Sequence, residues 1–471
     1  MYMIERIWGD GSMAIQLGKR LLLISAISVL ALPVQAQTLE EILAQSLLKN
    51  PDVAAAISAR DAIVEEVEQA EGGYLPTIDV AAGIGYEWTD NTTVEDVDLT
   101  RREASINLSQ MLFDGFLTRS EVERQSARKR SADERLREVA EQFVLDTSRA
   151  YLELMRRDEL LKQAKETLYN HIRIYKQIRK RSESGLGTLA SIQQAEGRLA
   201  LAEVNMLAAE NNIMDARANF ERVVGHPAPE ELVPVSDLDV PMSMTDAMER
   251  ARQNQPTLAL AQHDVAAANA QYDAARSLMY PRLHFEVERT WNEDIDGVEG
   301  TNEDLTAMLR MRYNIYNGGS DRARIRQTQH QITEAMEIRN SAERQVAQSL
   351  ALSWNAYEIL NRQMPHLEQH VVSSEQTRNS YKKQFDIGQR SLLDLLDTEN
   401  EVFGAKNSLV DARYDELVAR YRVMAGMGEL LQSFEVPALE RPVEEEQAAV
   451  EPEPQAPVEE GQAPVEPSAD S

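Results

Sequence analysis

The chain is written twice, and that duplication constrains its fold more than any other feature. Asn50-Pro51 and Tyr74-Leu75-Pro76 recur 205 residues later as Gln255-Pro256 and Met279-Tyr280-Pro281. Leu112-Phe113-Asp114-Gly115 recurs 203 residues later as Ile315-Tyr316-Asn317-Gly318, and Gly185 and Glu196 match Gly388 and Glu399 in the same way. Each copy has one order: a helix of about 37 residues, two strands, a helix of about 70 residues, a tight turn and another helix of about 37. A period this long belongs to duplicated halves and not to a solenoid.

The halves are framed by segments of another character. Lys19-Arg20, the apolar run Leu21 to Leu32 and the small-residue exit Val34-Gln35-Ala36 read as a secretory signal peptide over 1–36, with Met13 a plausible start. The first repeat is expected over 37–240 and the second over 241–434. From Glu435 to Ser471 eleven acidic residues face the single Arg441, around QAPVEE and QAPVEP, which predicts a disordered acidic Pro/Glu-rich tail over 435–471. With 49 basic and 78 acidic residues the net charge is −29; the tail carries −10 of it and leaves −19 on the folded part. That balance argues against a nucleic-acid partner. The absence of cysteine excludes disulfides, thiolate metal sites and a lipid-anchored N-terminal cysteine.

From Leu136 the first long helix places Ala140, Phe143, Thr147, Ala150, Leu154, Arg157, Leu161, Ala164, Leu168, His171, Tyr175 and Ile178 at alternating steps of four and three. This is a coiled-coil period on an element roughly 100 Å long. Two shorter helices end to end match that length. The second long helix repeats the pattern from Ile332 to Phe385, with a phase slip at Met364-Pro365 where proline should kink it.

The strands alternate strictly. Ile78, Val80, Ala82, Ile84, Tyr86 and Trp88 share one face, opposite Asp79, Gly83 and Glu87. Ile106 and Leu108, then Leu283, Phe285 and Val287, then Leu305, Leu309, Met311 and Tyr313 behave alike, with acidic loops expected at 89–103 and 292–304. Trp88 and Trp291 at one rim, with Phe113, Tyr280 and Tyr316 at the other, form the pattern of a membrane aromatic girdle. A sandwich sheet would alternate in the same way. Four strands decide between the two, because a bilayer tolerates no open sheet edge and about eight strands are needed to close a barrel. Closure therefore needs several chains, and three give an even twelve.

The run Phe385-Asp386-Ile387-Gly388-Gln389-Arg390-Ser391-Leu392-Leu393-Asp394-Leu395-Leu396-Asp397, followed by Asn407, Ala412-Arg413-Tyr414 and Met427-Gly428, resembles the TolC-like outer-membrane factors, the exit ducts of tripartite efflux pumps and type I secretion machines. Leu392 to Asn400, with Arg413-Tyr414-Asp415 and Ala419-Arg420-Tyr421-Arg422, is most similar to the type I secretion branch. The resemblance covers about 38 to 434. It implies an α+β channel-tunnel: a homotrimeric 12-stranded transmembrane β-barrel, four strands per chain, continued by a periplasmic coiled-coil barrel. It further implies outer-membrane lipid around the barrel, a periplasmic adaptor protein, and an inner-membrane ABC transporter or other pump as partners, with no cofactor.

The resemblance also assigns sites. Asp394 and Asp397, spaced i, i+3, become two carboxylate rings at the periplasmic mouth and a possible cation site. As bare sequence, Ser391 and Asp394 are a capping box and both carboxylates oppose the helix dipole. Family members latch the mouth through an arginine and a tyrosine. Arg390 matches the arginine, Phe385 stands at the tyrosine position, and Ser191 is the first-repeat counterpart of Asp394, so the latch should differ here. Gly185, Leu186 and Gly187, with Gly388 and Gln389, resemble the helix tips that receive the adaptor. No phosphate-binding glycine loop, H-E-x-x-H pair or serine elbow suggests an enzyme. His366 and His370 are i, i+4 but lack an evident third ligand for zinc.

Overall fold

The computed structural model describes residues 37–434 other than 186, together with 436, 438 and 439. The signal-peptide segment, most of the acidic tail and Leu186 lie outside the described residues. Each expected leading helix is two helices. Thr38 caps α1 (Leu39–Ser46) in a capping box with Glu41, and after a 3₁₀ turn Asn50 caps α2 (Pro51–Glu71), accepting from Asp52 N at 2.9 Å and Val53 N at 3.2 Å. Proline lacks the N–H that would continue the ladder and holds its predecessor in extended backbone, so the helix breaks and restarts. The repeat does likewise at Gln255-Pro256, between α5 (Met244–Asn254) and α6 (Pro256–Arg276).

Four strands follow the chain order in one antiparallel sheet: β1 (Thr77–Thr89), β2 (Val97–Phe113), β3 (Arg282–Ile295) and β4 (Val298–Arg312). Their connections are shorter than the acidic composition suggested. β3 and β4 meet in a tight hairpin at Asp296-Gly297, whose φ angles of 55° and 75° give the positive pair a two-residue turn requires. The Asp-Gly signal was masked by its acidic surroundings.

The long helices α3 (Leu117–Glu183) and α7 (Ser320–Asp386) each have 67 residues. Asp114 starts α3 by accepting from Leu117 N at 3.0 Å and Thr118 N at 2.7 Å. Gly115 makes that turn possible: its φ is +74°, and a Cβ would stand 2.7 Å from the Ser277 carbonyl. Pro365 lies inside α7, which continues across it. The returning helices are α4 (Leu189–Val224) and α8 (Leu392–Met427).

Near the sheet α3 packs against α2 and α6; farther down it packs against α4 and α8, while α7 is flanked by α6 and then α8. Leu136, Ala140, Phe143, Thr147, Ala150, Leu154, Leu161, Ala164, His171 and Ile178 are buried, as their spacing predicted. The main core lies at mid-height, where Leu43, Tyr151, Phe220, Tyr421 and Leu430 come together. Tyr151 closes it by donating to Val233 O at 2.8 Å and accepting from Val233 N at 2.9 Å. Two helix edges remain uncovered in the single chain: Leu201, Val204 and Leu207 on α4, and Ile338, Leu352 and Ile359 on α7.

Candidate channel mouth and membrane band

At the end far from the sheet, the α3–α4 and α7–α8 hairpins lie side by side. Thr188 caps α4, accepting from Ser191 N at 3.2 Å; Ser391 caps α8, accepting from Asp394 N at the same distance, and the Asp394 carboxylate returns to Ser391 N at 3.3 Å. The tip turns hold Gly185 at φ +76° and Gly388 at φ +79°, while a Cβ on Gly187 would come 3.1 Å from Ser182 backbone. Gln389 N donates to Gln384 O at 2.8 Å.

The hairpins are tied through first-repeat residues that the sequence did not single out. Arg181 of α3 donates to Phe385 O at 3.3 Å and Asp386 O at 3.0 Å, with its guanidinium 4.6 Å from the Phe385 ring centroid. Gln177 donates to Asp386 Oδ1 at 3.0 Å, and Arg198 of α4 meets Asp397 Oδ1 of α8 at 2.8 Å. Phe385, 6% exposed, anchors a small core with Ile178, Ala195 and Leu396. Arg390 stays in its own hairpin: it donates to Gln384 at 2.9 Å, stacks 4.1 Å over Tyr381 and stands 3.8 Å from Asp394. Of the expected gate residues, Asp397 and Phe385 thus reach the first repeat, whereas Arg390 and Asp394 do not. Arg181 was legible only as a basic residue in a last helical turn.

Higher up, Arg156 of α3 holds Asp411 at 2.7 Å and Asp415 at 3.1 Å, and Tyr414 donates to Glu159 at 3.2 Å. His370 stands 3.7 Å from Glu401, and no metal-ligand cluster occurs among the described residues.

On the sheet, Val80 stands opposite Ile106, Ile106 opposite Arg289 and Arg289 opposite Leu305. Val80, Ile84, Leu305 and Leu309 are between 64% and 77% exposed, so this apolar face is bare in the single chain. Toward the hairpins it gives way to ion pairs, Arg102–Glu293 at 2.8 Å and Arg289–Glu303 at 2.6 Å. Trp88 donates to Asp96 at 3.0 Å. Trp291 faces Ala104, itself opposite Ala82, so the two tryptophans stand six residues apart along the strands and not on one rung. At the other rim Phe116 links Phe113 and Tyr280, edge-to-face at 5.4 and 6.3 Å, and Tyr316 is exposed beyond β4.

Known proteins are similar to this chain in sequence and in shape. The chain is 24% identical to outer membrane protein TolC of Escherichia coli over 417 residues, covering 84% of this chain and 83% of the relative. It is 24% identical to outer membrane efflux protein BepC of Brucella suis over 368 residues (78% and 80% covered), and 24% identical to alkaline protease secretion protein AprF of Pseudomonas aeruginosa over 403 (81% and 83%). Solved structures of CusC (TM-score 0.73, 16% identity, 83% of this chain and 92% of that one) and of the Vibrio cholerae outer membrane protein VceC (0.72, 17%, 83% and 96%) have the same fold, an α+β channel-tunnel. The profile of the family described as outer membrane efflux protein matches residues 42–226 and 247–429, both repeats in turn, and the chain belongs to that family.

Proposed function

We propose that this protein is the outer-membrane exit channel of a tripartite type I secretion machine, a passive conduit from a periplasmic adaptor to the cell exterior. The observation that carries the reading is the sheet: four strands in chain order with an apolar face bare and both edges, β1 and β4, unpaired. Such a sheet is stable in lipid only when closed by other copies. Three chains give twelve strands and gather the long helices into a tube below the membrane. The signal peptide over 1–36 delivers the chain to the periplasm, and the inner-membrane ABC transporter supplies the energy. The matches to AprF and to the proteases secretion protein PrtF of Dickeya chrysanthemi support the secretion branch.

The joined hairpin ends form the periplasmic mouth. Asp394 and Asp397 there face a threefold axis as carboxylate rings, and the tips around Gly185–Gly187 and Gly388-Gln389 receive the adaptor. A second reading, the exit channel of a multidrug or cation efflux pump, is favoured by the matches to BepC and to cation efflux system protein CusC of Escherichia coli. Quantitative proteomics of medium and cell surface, comparing a deletion strain with its parent, separates them. Loss of one large secreted protein establishes secretion; an unchanged profile with raised drug accumulation moves the function to efflux.

A further inference from the structure

His171 sits on the seam of α3 between apolar layers, 3% exposed, and its Nδ1 has no hydrogen-bond partner. The charged groups at its level come from α3 itself and from α4, α7 and α8. From α4, Arg198 is near, its guanidinium committed to Asp397 of α8 at 2.8 Å, while Glu196 accepts from Tyr175 of α3 at 3.2 Å. From α8, the buried Glu399 turns to Arg378 of α7 at 3.9 Å, with Arg173 and Glu166 of α3 and Lys382 of α7 about it. Burial, and then the charge of Arg198, push the proton affinity of His171 below the ordinary histidine range. A neutral imidazole is tolerated here. A histidinium would have no acceptor at Nδ1 and would set a second positive charge against the arginine that ties the two hairpins together.

We propose that His171 is a proton-operated release for the mouth: acid on the periplasmic side charges its buried ring, displaces Arg198 from Asp397 and parts the α3–α4 hairpin from the α7–α8 hairpin. This rests on reading the hairpin ends as the closed mouth of a conduit. The sign follows from linkage. A histidine harder to protonate in the closed state than in the open one favours closure above about pH 6.5, and that preference is lost as the pH falls below it. Each pH unit by which the two affinities differ moves the open-to-closed ratio about tenfold per chain. Glu399 has the opposite sign, because burial raises its proton affinity and acid makes its burial easier.

The chain has no cysteine, so spin labels at Glu183→Cys and Lys383→Cys report the separation of the tips without background. In lipid nanodiscs the label distance lengthens between about pH 7.5 and pH 5.5. Both His171→Leu and His171→Gln abolish the change, and Glu399→Gln keeps it. An equal acid response in both His171 variants, or none in the parent, overturns the proposal. Bilayer conductance on the same proteins tests the underlying reading separately: tips that part in acid without a rise in conductance sustain the His171 release and defeat the conduit.

Discussion

Glu141 of α3 is 5% exposed, accepts from Leu431 N at 3.1 Å with one carboxylate oxygen and leaves the other without a partner. Burial raises its pKa from an ordinary 4.5 to about 7, against the pull of the Leu431 N–H and Arg137. A folded-state value above the unfolded one gives stability that is complete below about pH 4.5 and lost as the pH rises through about 7. Glu141→Gln keeps the acceptor for Leu431 without the charge. It should stabilise the fold above pH 7.5 by on the order of 2 kcal/mol, seen as a higher melting temperature, and lose that advantage near pH 4.5. Thermal melts of the two solubilised proteins across that range check it. Nothing in the sequence marked Glu141, because an acidic residue on a coiled-coil helix is usually solvated. Only the return of Leu430 and Leu431 after α8 encloses it.

The start of α8 serves two structural ends with two carboxylates. Asp394 completes the Ser391 capping box, and Asp397 one turn on binds Arg198. Asp394→Ala should fray that first turn, a loss of about 1 kcal/mol read by faster amide exchange at the cap, whereas Asp397→Ala should leave the turn protected. Replacing both should weaken divalent-cation block of bilayer conductance. The helical seams were legible because a 3.5-residue period survives even where Thr147 and His171 replace apolar side chains. Strand faces were legible through period two. Element ends were less so: Asn50-Pro51 and Gln255-Pro256 were visible as repeat markers, yet the apolar pattern runs through both and hid the breaks. Links between hairpins, such as Arg181 to the end of α7, join residues about 200 positions apart, beyond any local spacing rule.

At the scale of the whole molecule, the order β1-β2-β3-β4 has a consequence for inheritance as well as for architecture. A closed ring of such sheets pairs the last strand of each subunit with the first strand of its neighbour, so every copy is both donor and recipient of a seam. One copy with a spoiled edge leaves a gap that its sound neighbours cannot bridge. Prolines at Ala81 and Ala82 together, in the middle of β1, remove an N–H from that seam, because successive strand N–H groups point to opposite neighbours. When such a variant is expressed equally with the parent and still enters the proposed three-chain rings, random mixing leaves roughly one ring in eight wholly sound. Cells carrying both alleles should then retain close to an eighth of the export capacity, well short of the half that independent monomers would keep. A channel built this way makes its gene dose-sensitive, and a single damaged allele dominant.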